Sequence, residues 1–255
     1  MAQVVELSYI DPGQRPKQHV TEKQHVQSKH KEYTLYNEKA TIVTTVYATH
    51  SRYIDHYFPG YQHPEFPGRI EAVWNKFTAT RLVDRLHVLT PTPAKRDVIE
   101  RIHTAKHLDL LQWIAGQSKT VMIDSDTYAL PDSYEVARLS VGGVLSVVDA
   151  VLKGEAQNGL AAVRPPGHHA TPDHPMGFCL LNNIAIAARQ AQQYPGIERV
   201  MIVDYDVHHG NGTQDTFYDD PSVLFISTHQ SPFYPGTGHL HEHGSAAGRG
   251  TTLNI

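Results

Sequence analysis

The segment VDYDVHHGNG, residues 203–212, places two carboxylates and an imidazole at alternate positions: Asp204, Asp206 and His208. Alternate residues of a β-strand point to the same face and lie roughly 6.6 Å apart along it. A carboxylate and an imidazole in neighbouring positions can bind one zinc ion, whereas His209 is expected to point elsewhere. The alternative is that the aspartates cap the following turn. It is disfavoured because charges beside the apolar run VMIV would be costly.

A second polar segment, RPPGHHATPDHPMGFC (residues 164–179), carries the adjacent histidines His168 and His169. Two prolines and a glycine stiffen the backbone just before them. Adjacent imidazoles at a rigid position suit acid–base catalysis, because different partners can hold one ring neutral and the other charged. The alternative is a polar loop with incidental histidines, and the nearby Asp/His segment argues against it.

The elements that must position these residues alternate between strands and helices. Apolar, β-branched runs predict strands at residues 41–50, 159–164, 198–207, 222–229 and from 251. Helices are predicted at 70–80, 104–115, 132–154, 181–194 and 212–220. Start or stop signals mark those at 132–154 and 181–194. This alternation predicts an α/β fold with an open, mostly parallel sheet and helices on both faces. Ligands bind beyond the carboxyl ends of such strands, so VRPPGHH, VDYDVHH and ISTHQSPFYPGTG are expected to meet at one rim.

Composition limits the classes of protein and partner. The chain has 255 residues, enough for one large domain or two small ones. A net charge of -4 gives no reason to expect a nucleic-acid partner. The single Cys179 excludes a disulfide within the chain and fits a reducing compartment. Since no apolar stretch is long enough to span a membrane and the N-terminus lacks a secretory pattern, we expect no membrane partner and a cytoplasmic location.

Four motifs carry a resemblance to a known family: HPEFPGRI, RPPGHHA, GFCLLNNIAIAA and VDYDVHHGNGTQDTFYDDPSVLFISTHQSPFYPGTG. Together they resemble the zinc-dependent histone deacetylase superfamily, in particular its class II-like and bacterial amidohydrolase members, which include acetylpolyamine amidohydrolases. The resemblance implies an arginase/deacetylase-like sheet and hydrolysis of an N-acyl amide of lysine or a polyamine. It runs from about residue 42 to 255. We therefore predict a deacetylase-like catalytic domain over residues 41–255 and a polar N-terminal arm over residues 1–40.

The resemblance also implies two ion sites. Asp206 and His208 match two of the family's three zinc ligands, so Zn(II) is the expected cofactor. Aspartate and histidine ligands suit Fe(II) as well. Asp204 and Ser227 fall where the family binds a monovalent cation such as K+.

The catalytic roles follow from the same resemblance. His169 matches the base that deprotonates the zinc-bound water. His168 matches its neighbour, which pairs with a buried carboxylate at Asp204 and helps to stabilise the transition state. Asn211 stands where class I members have an aspartate, which is the class II pattern, and an amide there leaves His169 less biased toward the charged form.

Three further residues match the family's substrate channel. Phe178 matches one aromatic wall of an acyl-lysine channel, and Tyr234 falls at the opposite wall. The backbone carbonyl of Gly177 matches a group that holds the substrate N–H. An acyl-lysine or acylpolyamine has a long apolar arm, which aromatic walls would fit.

The metal site is expected to be incomplete within this sequence. The family's third ligand, an aspartate, and its carbonyl-polarising tyrosine or histidine are expected after Ile255. The chain is therefore expected to correspond to the N-terminal two-thirds of a deacetylase domain. Several other polar residues are candidates for the rim but are expected to be solvated: Asp124, Asp126, His239, His241 and His243.

Three functions remain open at this point. The first is a zinc amidohydrolase that acts on acyl-lysine or acylpolyamine. The second is a non-catalytic, deacetylase-like binding module, which the missing ligand favours. The third is a manganese ureohydrolase. It ranks low, because that family favours Asp-x-His-x-Asp and this chain has Asp-x-Asp-x-His.

Overall fold

The computed structural model describes residues 44–255. The N-terminal arm predicted over residues 1–40 lies outside the described residues and stays a prediction. The strands are β1 (Thr45–Ala48), β2 (His87–Leu89), β3 (Val121–Met122), β4 (Tyr128–Ala129), β5 (Asn158–Ala161), β6 (Val200–Asp204), β7 (Val223–Ser227) and β8 (Thr252–Asn254). The α-helices are α1 (Gly68–Ala79), α2 (Arg96–Ile99), α3 (Ala105–Ala115), α4 (Ser133–Leu152), α5 (Asn183–Ala191) and α6 (Asn211–Phe217). Short 3-10 helices lie at Ser51–Ile54, Val83–Arg85 and Ala246–Gly248.

The longer strands form parallel sheets, as the alternation of strands and helices predicted. Within residues 44–255, one three-stranded sheet has the order β2-β1-β5 and another has the order β6-β7-β8. The ladder between β6 and β7 pairs Ile202 with Phe225 and Asp204 with Ser227. The short strands β3 and β4 pair antiparallel. The parallel strands of the described residues are thus divided between two sheets, where the sequence predicted one.

Helix α4 is the central packing element, and it packs against α5, β5 and β1. Paired glycines in the middle of a helix, here Gly142 and Gly143, predict close packing or a local bend. The close packing is confirmed. A Cβ atom on Gly142 would overlap the backbone carbonyl of Thr92, and one on Gly143 would lie 2.7 Å from the hydroxyl of Tyr53. Glycine costs helix stability, and here it allows two neighbouring segments to approach the helix axis.

One face of the β6-β7-β8 sheet is uncovered in the described part of the chain. The apolar run VMIV of β6 predicts a strand that is buried on both faces, and this prediction is wrong in the described residues. Met201 is 58% exposed and Val203 is 49% exposed, whereas Ile202 on the opposite face is buried. Leu224 and Leu253 of the neighbouring strands are exposed on the same side. An apolar strand can be buried on both faces, but its composition does not show whether another element covers each face.

A search of the described residues for helices that could cross a membrane found none of sufficient length and apolarity.

Candidate active site

A cavity of about 290 Å³ lies beyond the carboxyl ends of β5 and β6, where the strand ends were expected to meet. All three polar clusters reach it. Its lining includes His168 and His169 after β5, Asp206 and His208 after β6, and Tyr234 after β7. The remaining lining residues are Pro64, Arg69, Asp126, Pro166, Gly177, Phe178 and Val207.

The segment after β6 turns sharply so that two alternate side chains face the cavity. Asp206 Oδ1 accepts a hydrogen bond from the backbone N–H of His208 at 2.9 Å. The same oxygen lies 3.2 Å from His208 Nδ1. Two ligands that bind one tetrahedral zinc ion at about 2.0–2.1 Å are roughly 3.3 Å apart. The two donor atoms therefore have the separation that a shared ion requires, and both side chains are partly open to the cavity.

His168 is paired with a carboxylate. Its Nδ1 lies 2.8 Å from Asp204 Oδ2. Burial alone would lower the pKa of His168, but the hydrogen bond and the charge of Asp204 outweigh it, and the pKa is raised from its ordinary value. The pair is almost fully buried, which strengthens the interaction between the ring and the carboxylate.

His169 is paired with an amide instead. Its Nδ1 lies 2.8 Å from Asn211 Oδ1. The amide nitrogen of Asn211 donates to the sulfur of Met176 at 3.4 Å, so the amide oxygen faces the ring. Burial first, and then the neighbouring His168, lower the pKa of His169 to about 3. A neutral ring that donates from Nδ1 keeps Nε2 unprotonated and able to accept a proton.

Aromatic side chains form two walls of the cavity. The backbone N–H of Phe178 donates to Thr127 Oγ1 at 3.0 Å, and the edge of the His63 ring contacts the Phe178 ring with centroids 4.7 Å apart. On the other side, Tyr234 packs at 88° against His169, with centroids 5.1 Å apart. Phe233 stacks on His208 at 5.2 Å.

Gly177 lies at the base of the first wall. A Cβ atom there would lie 2.5 Å from Cδ2 of His169, and its φ of 56° is in the left-handed region. Only glycine meets both conditions without strain. The backbone at Gly177 can therefore approach the His169 ring closely.

The two residues predicted to bind a monovalent cation lie on neighbouring strands. Asp204 and Ser227 are paired in the β6–β7 ladder. The Ser227 hydroxyl lies 2.9 Å from His229 Nδ1, and the Asp204 backbone carbonyl accepts from Thr228 N–H at 2.9 Å.

A buried ion pair supports the segment that carries the two histidines. Arg164, four residues before His168, binds both carboxylate oxygens of Glu65 at 2.6 Å. It also donates to the backbone carbonyls of Tyr53 and His56. Arg164 and Glu65 lie in two of the motifs quoted above, but the sequence alone indicated no role for either. Their separation of 99 residues explains why.

Of the residues expected to be solvated, one lies at the site. Asp126 lines the cavity, and so does Arg69, which the sequence analysis did not single out. Arg69 lies in the motif HPEFPGRI, and this position could have indicated that it belongs to the site. The alternating histidines His239, His241 and His243 are exposed. Among residues 44–255, no group of three or more His, Cys, Asp or Glu side chains is arranged to hold a metal ion.

Comparison with known proteins shows the family of the chain. The family profile of the histone deacetylase domain matches residues 63–255. The chain belongs to the histone deacetylase family. It is 41% identical over 209 residues to histone deacetylase 10, chloroplastic, of Oryza sativa subsp. japonica, covering 76% of this chain and 47% of that protein. It is 38% identical over 250 residues to histone deacetylase HDA1 of Candida albicans, covering 87% of this chain and 29% of that protein.

A solved structure of the family also aligns with the chain. The crystal structure of the HDA15 HD domain matches with a TM-score of 0.79 and 38% identity, covering 83% of this chain and 62% of that one. The chain thus has the deacetylase fold and spans about half or less of the curated relatives described above. Because the rice relative is named chloroplastic, a cytoplasmic location for this chain stays a prediction.

Proposed function

We propose that this histone deacetylase family chain carries the acid–base half of a metal-dependent deacylase, which hydrolyses an N-acyl amide of lysine or a polyamine. One observation supports the proposal above all. Two differently partnered histidines, His168 and His169, face the same cavity as the adjacent donors Asp206 and His208. A site with one ring biased to the charged form and one held neutral suits amide hydrolysis, which needs a hydrogen-bond donor and a base together.

Asp206 and His208 would hold the metal ion. Their donor atoms, a carboxylate oxygen and an imidazole nitrogen 3.2 Å apart, fit Zn(II), and they suit Fe(II) as well. When bound, such an ion lowers the pKa of water and polarises an acyl carbonyl. A catalytic zinc site ordinarily has three protein ligands, and the described residues supply two. The third ligand is expected from outside them.

The two histidines would divide the proton transfers. His169, with Nε2 free, accepts the proton of the attacking water and returns one to the amine as the C–N bond breaks. His168, held toward the charged form by Asp204, donates a hydrogen bond to the oxygen on which negative charge develops. Asn211 keeps the His169 ring oriented without adding the charge that would protonate it.

The walls would select the shape of the substrate. The aromatic rings of Phe178 and Tyr234 would enclose an extended apolar arm such as the side chain of lysine. The backbone carbonyl of Gly177 would accept the amide N–H and so align the acyl group with His169. Asp204 and Ser227 would bind a monovalent cation such as K+, close to the carboxylate that orients His168.

The alternative function is a non-catalytic binding module, which would bind the acylated substrate without hydrolysing it. One experiment separates the two. Acetate release from an acetyl-lysine peptide and from an N-acetylpolyamine is measured for the wild-type protein, His169→Ala and the exposed control His241→Ala, each with added zinc.

The deacylase proposal predicts that His169→Ala lowers the rate by about 10²–10⁴-fold, while His241→Ala retains the wild-type rate. Equal rates for wild type and His169→Ala would refute the assignment of the base. Binding of the peptide without acetate release by the wild type would favour the binding module.

A further inference from the structure

We infer that Glu242 is a positioning residue. Through a set of hydrogen-bonded polar groups, it holds the loop of residues 228–244 against the active site. We name these groups the anchoring network: His209, Gln214, Thr237, Glu242 and Asn254. The role of the loop as a wall of the substrate channel rests on the proposed function, whereas the anchoring itself does not.

The loop needs an anchor because it has little of its own support. Residues 228–244 contain no helix or strand, and several of its side chains are exposed, including Phe233 and Leu240. The same loop carries Tyr234, which packs on His169. A loop without secondary structure keeps one conformation only when other contacts impose it.

Glu242 makes the central contacts. Its Oε2 accepts from the side-chain amide of Gln214 at 2.6 Å and from the backbone N–H of Gly238 at 3.0 Å. Its Oε1 accepts from the backbone N–H of His239 at 3.1 Å. One partly buried carboxylate thus closes the second half of the loop on itself and ties it to α6.

The charge of Glu242 also sets the direction of every hydrogen bond beyond it. An ionised carboxylate only accepts, so the amide nitrogen of Gln214 must face it. The amide oxygen of Gln214 then faces His209 Nε2 at 3.0 Å and the side-chain amide of Asn254 at 2.8 Å. His209 consequently donates from Nε2, and its Nδ1 accepts from the hydroxyl of Thr237 at 2.8 Å.

The loop lies in direct contact with two rings. A Cβ atom on Gly238 would lie 2.6 Å from Cγ of His209 and would overlap the ring of His229. His229 Nε2 donates to the carbonyl of Gly238 at 2.9 Å. His209 is fully buried and faces the loop, whereas the preceding His208 faces the cavity. The anchoring network therefore connects the metal-site segment with the loop that forms the second wall.

The matched test variant is Glu242→Gln. A glutamine side chain has one accepting oxygen, whereas Glu242 accepts on both sides, so at least one of its three bonds must be lost. Leu240→Ala is the control, because Leu240 is 84% exposed in the same loop. If Glu242→Gln fails to fold, Thr237→Val removes a single hydroxyl from the opposite end of the network.

Two measurements are made on each variant. Hydrogen–deuterium exchange without metal or substrate follows the amides of Gly238 and His239. KM and kcat are then measured for an acetyl-lysine peptide. We expect exchange of these amides to accelerate about tenfold in Glu242→Gln, and KM to rise about tenfold with kcat changed less than about twofold. Leu240→Ala should match the wild type in both measurements.

The results separate the anchoring of the loop from its role as a wall of the substrate channel. Unchanged exchange in Glu242→Gln would overturn the anchoring. Faster exchange with an unchanged KM would overturn the positioning role, because the wall would then be independent of the anchor. Faster exchange in a protein whose wild type neither binds nor hydrolyses the peptide would support the anchoring and refute the proposed function.

Discussion

Acidification should destabilise this protein steeply through two buried histidines, one just before helix α3 and one in its first turn. His103 and His107 are only 2% and 1% exposed, and their rings lie 4.2 Å apart. His103 Nε2 accepts the backbone N–H of Asn182 at 2.8 Å, and His107 Nε2 donates to the carbonyl of Leu180 at 2.8 Å. Burial and the neighbouring ring lower the pKa of His103 to about 3. Burial lowers the pKa of His107 to about 4.

The direction and the magnitude of this destabilisation follow from proton linkage. In the unfolded chain each imidazole titrates near 6.5, so between that pH and the folded-state pKa the unfolded state binds more protons. Stability contributed by the neutral rings is therefore present above pH 6.5 and is lost as the pH falls. Each ring accounts for a loss of about 2 kcal/mol between pH 7 and pH 5, and the pair for about 4 kcal/mol. That is a large fraction of the stability of a typical domain.

The assay is urea denaturation followed by circular dichroism at both pH values. His107→Gln retains an amide that can donate to Leu180 but cannot titrate, so its loss of unfolding free energy between pH 7 and pH 5 should be about 2 kcal/mol smaller than that of the wild type. The exposed His241→Gln should lose as much as the wild type. An equal loss in His107→Gln and the wild type would refute the reasoning, since His107 would then have the same pKa in both states.

Three further predictions concern packing and buried groups. Gly142→Ala places a methyl group against the backbone carbonyl of Thr92 and should lower the free energy of unfolding by about 1–3 kcal/mol, measured by urea denaturation; an unchanged midpoint would show that the helix shifts freely. Arg164→Met removes the arginine partner of the buried Glu65 carboxylate. The free energy of unfolding, measured by urea denaturation, should fall by about 3–5 kcal/mol. Adding a Glu65→Gln substitution should recover part of that loss, and a fully additive double variant would contradict the pairing. Cys179 is buried and its pKa is raised, so it should react with a thiol reagent only on unfolding; reaction in the native protein would show an opening not present in this structure.

The position of the site could be predicted from the sequence because it depends on local rules. The alternation of strands and helices implies parallel strands, and parallel strands bring their carboxyl ends to one edge. Asp206 and His208 after β6 were therefore expected near His168 after β5, although these two strands belong to different sheets in the described residues. The structure places all three on one cavity.

Other features depend on contacts that no local pattern records. Strands such as β3, with two residues, are too short to show a period. The anchoring network joins Gln214 to Glu242 and Asn254 across 28 and 40 residues. In the sequence alone, glutamine, glutamate and asparagine at these positions are typical of surface residues. Polar groups acquire a role when burial removes water and leaves protein partners as the only alternative, and burial is a property of the fold.

The pKa values of His168 and His169 depend both on the local sequence and on contacts that only the fold creates. Adjacent rings with nearly the same burial would be expected to titrate alike. They differ because one faces the carboxylate of Asp204 and the other faces the amide of Asn211. The first partner raises the pKa and the second lacks the charge to offset burial, which lowers the other pKa to about 3. Asp204 is the last residue of β6 and Asn211 is the first residue of α6. The two ends of one short segment therefore shift the pKa values of neighbouring rings in opposite directions.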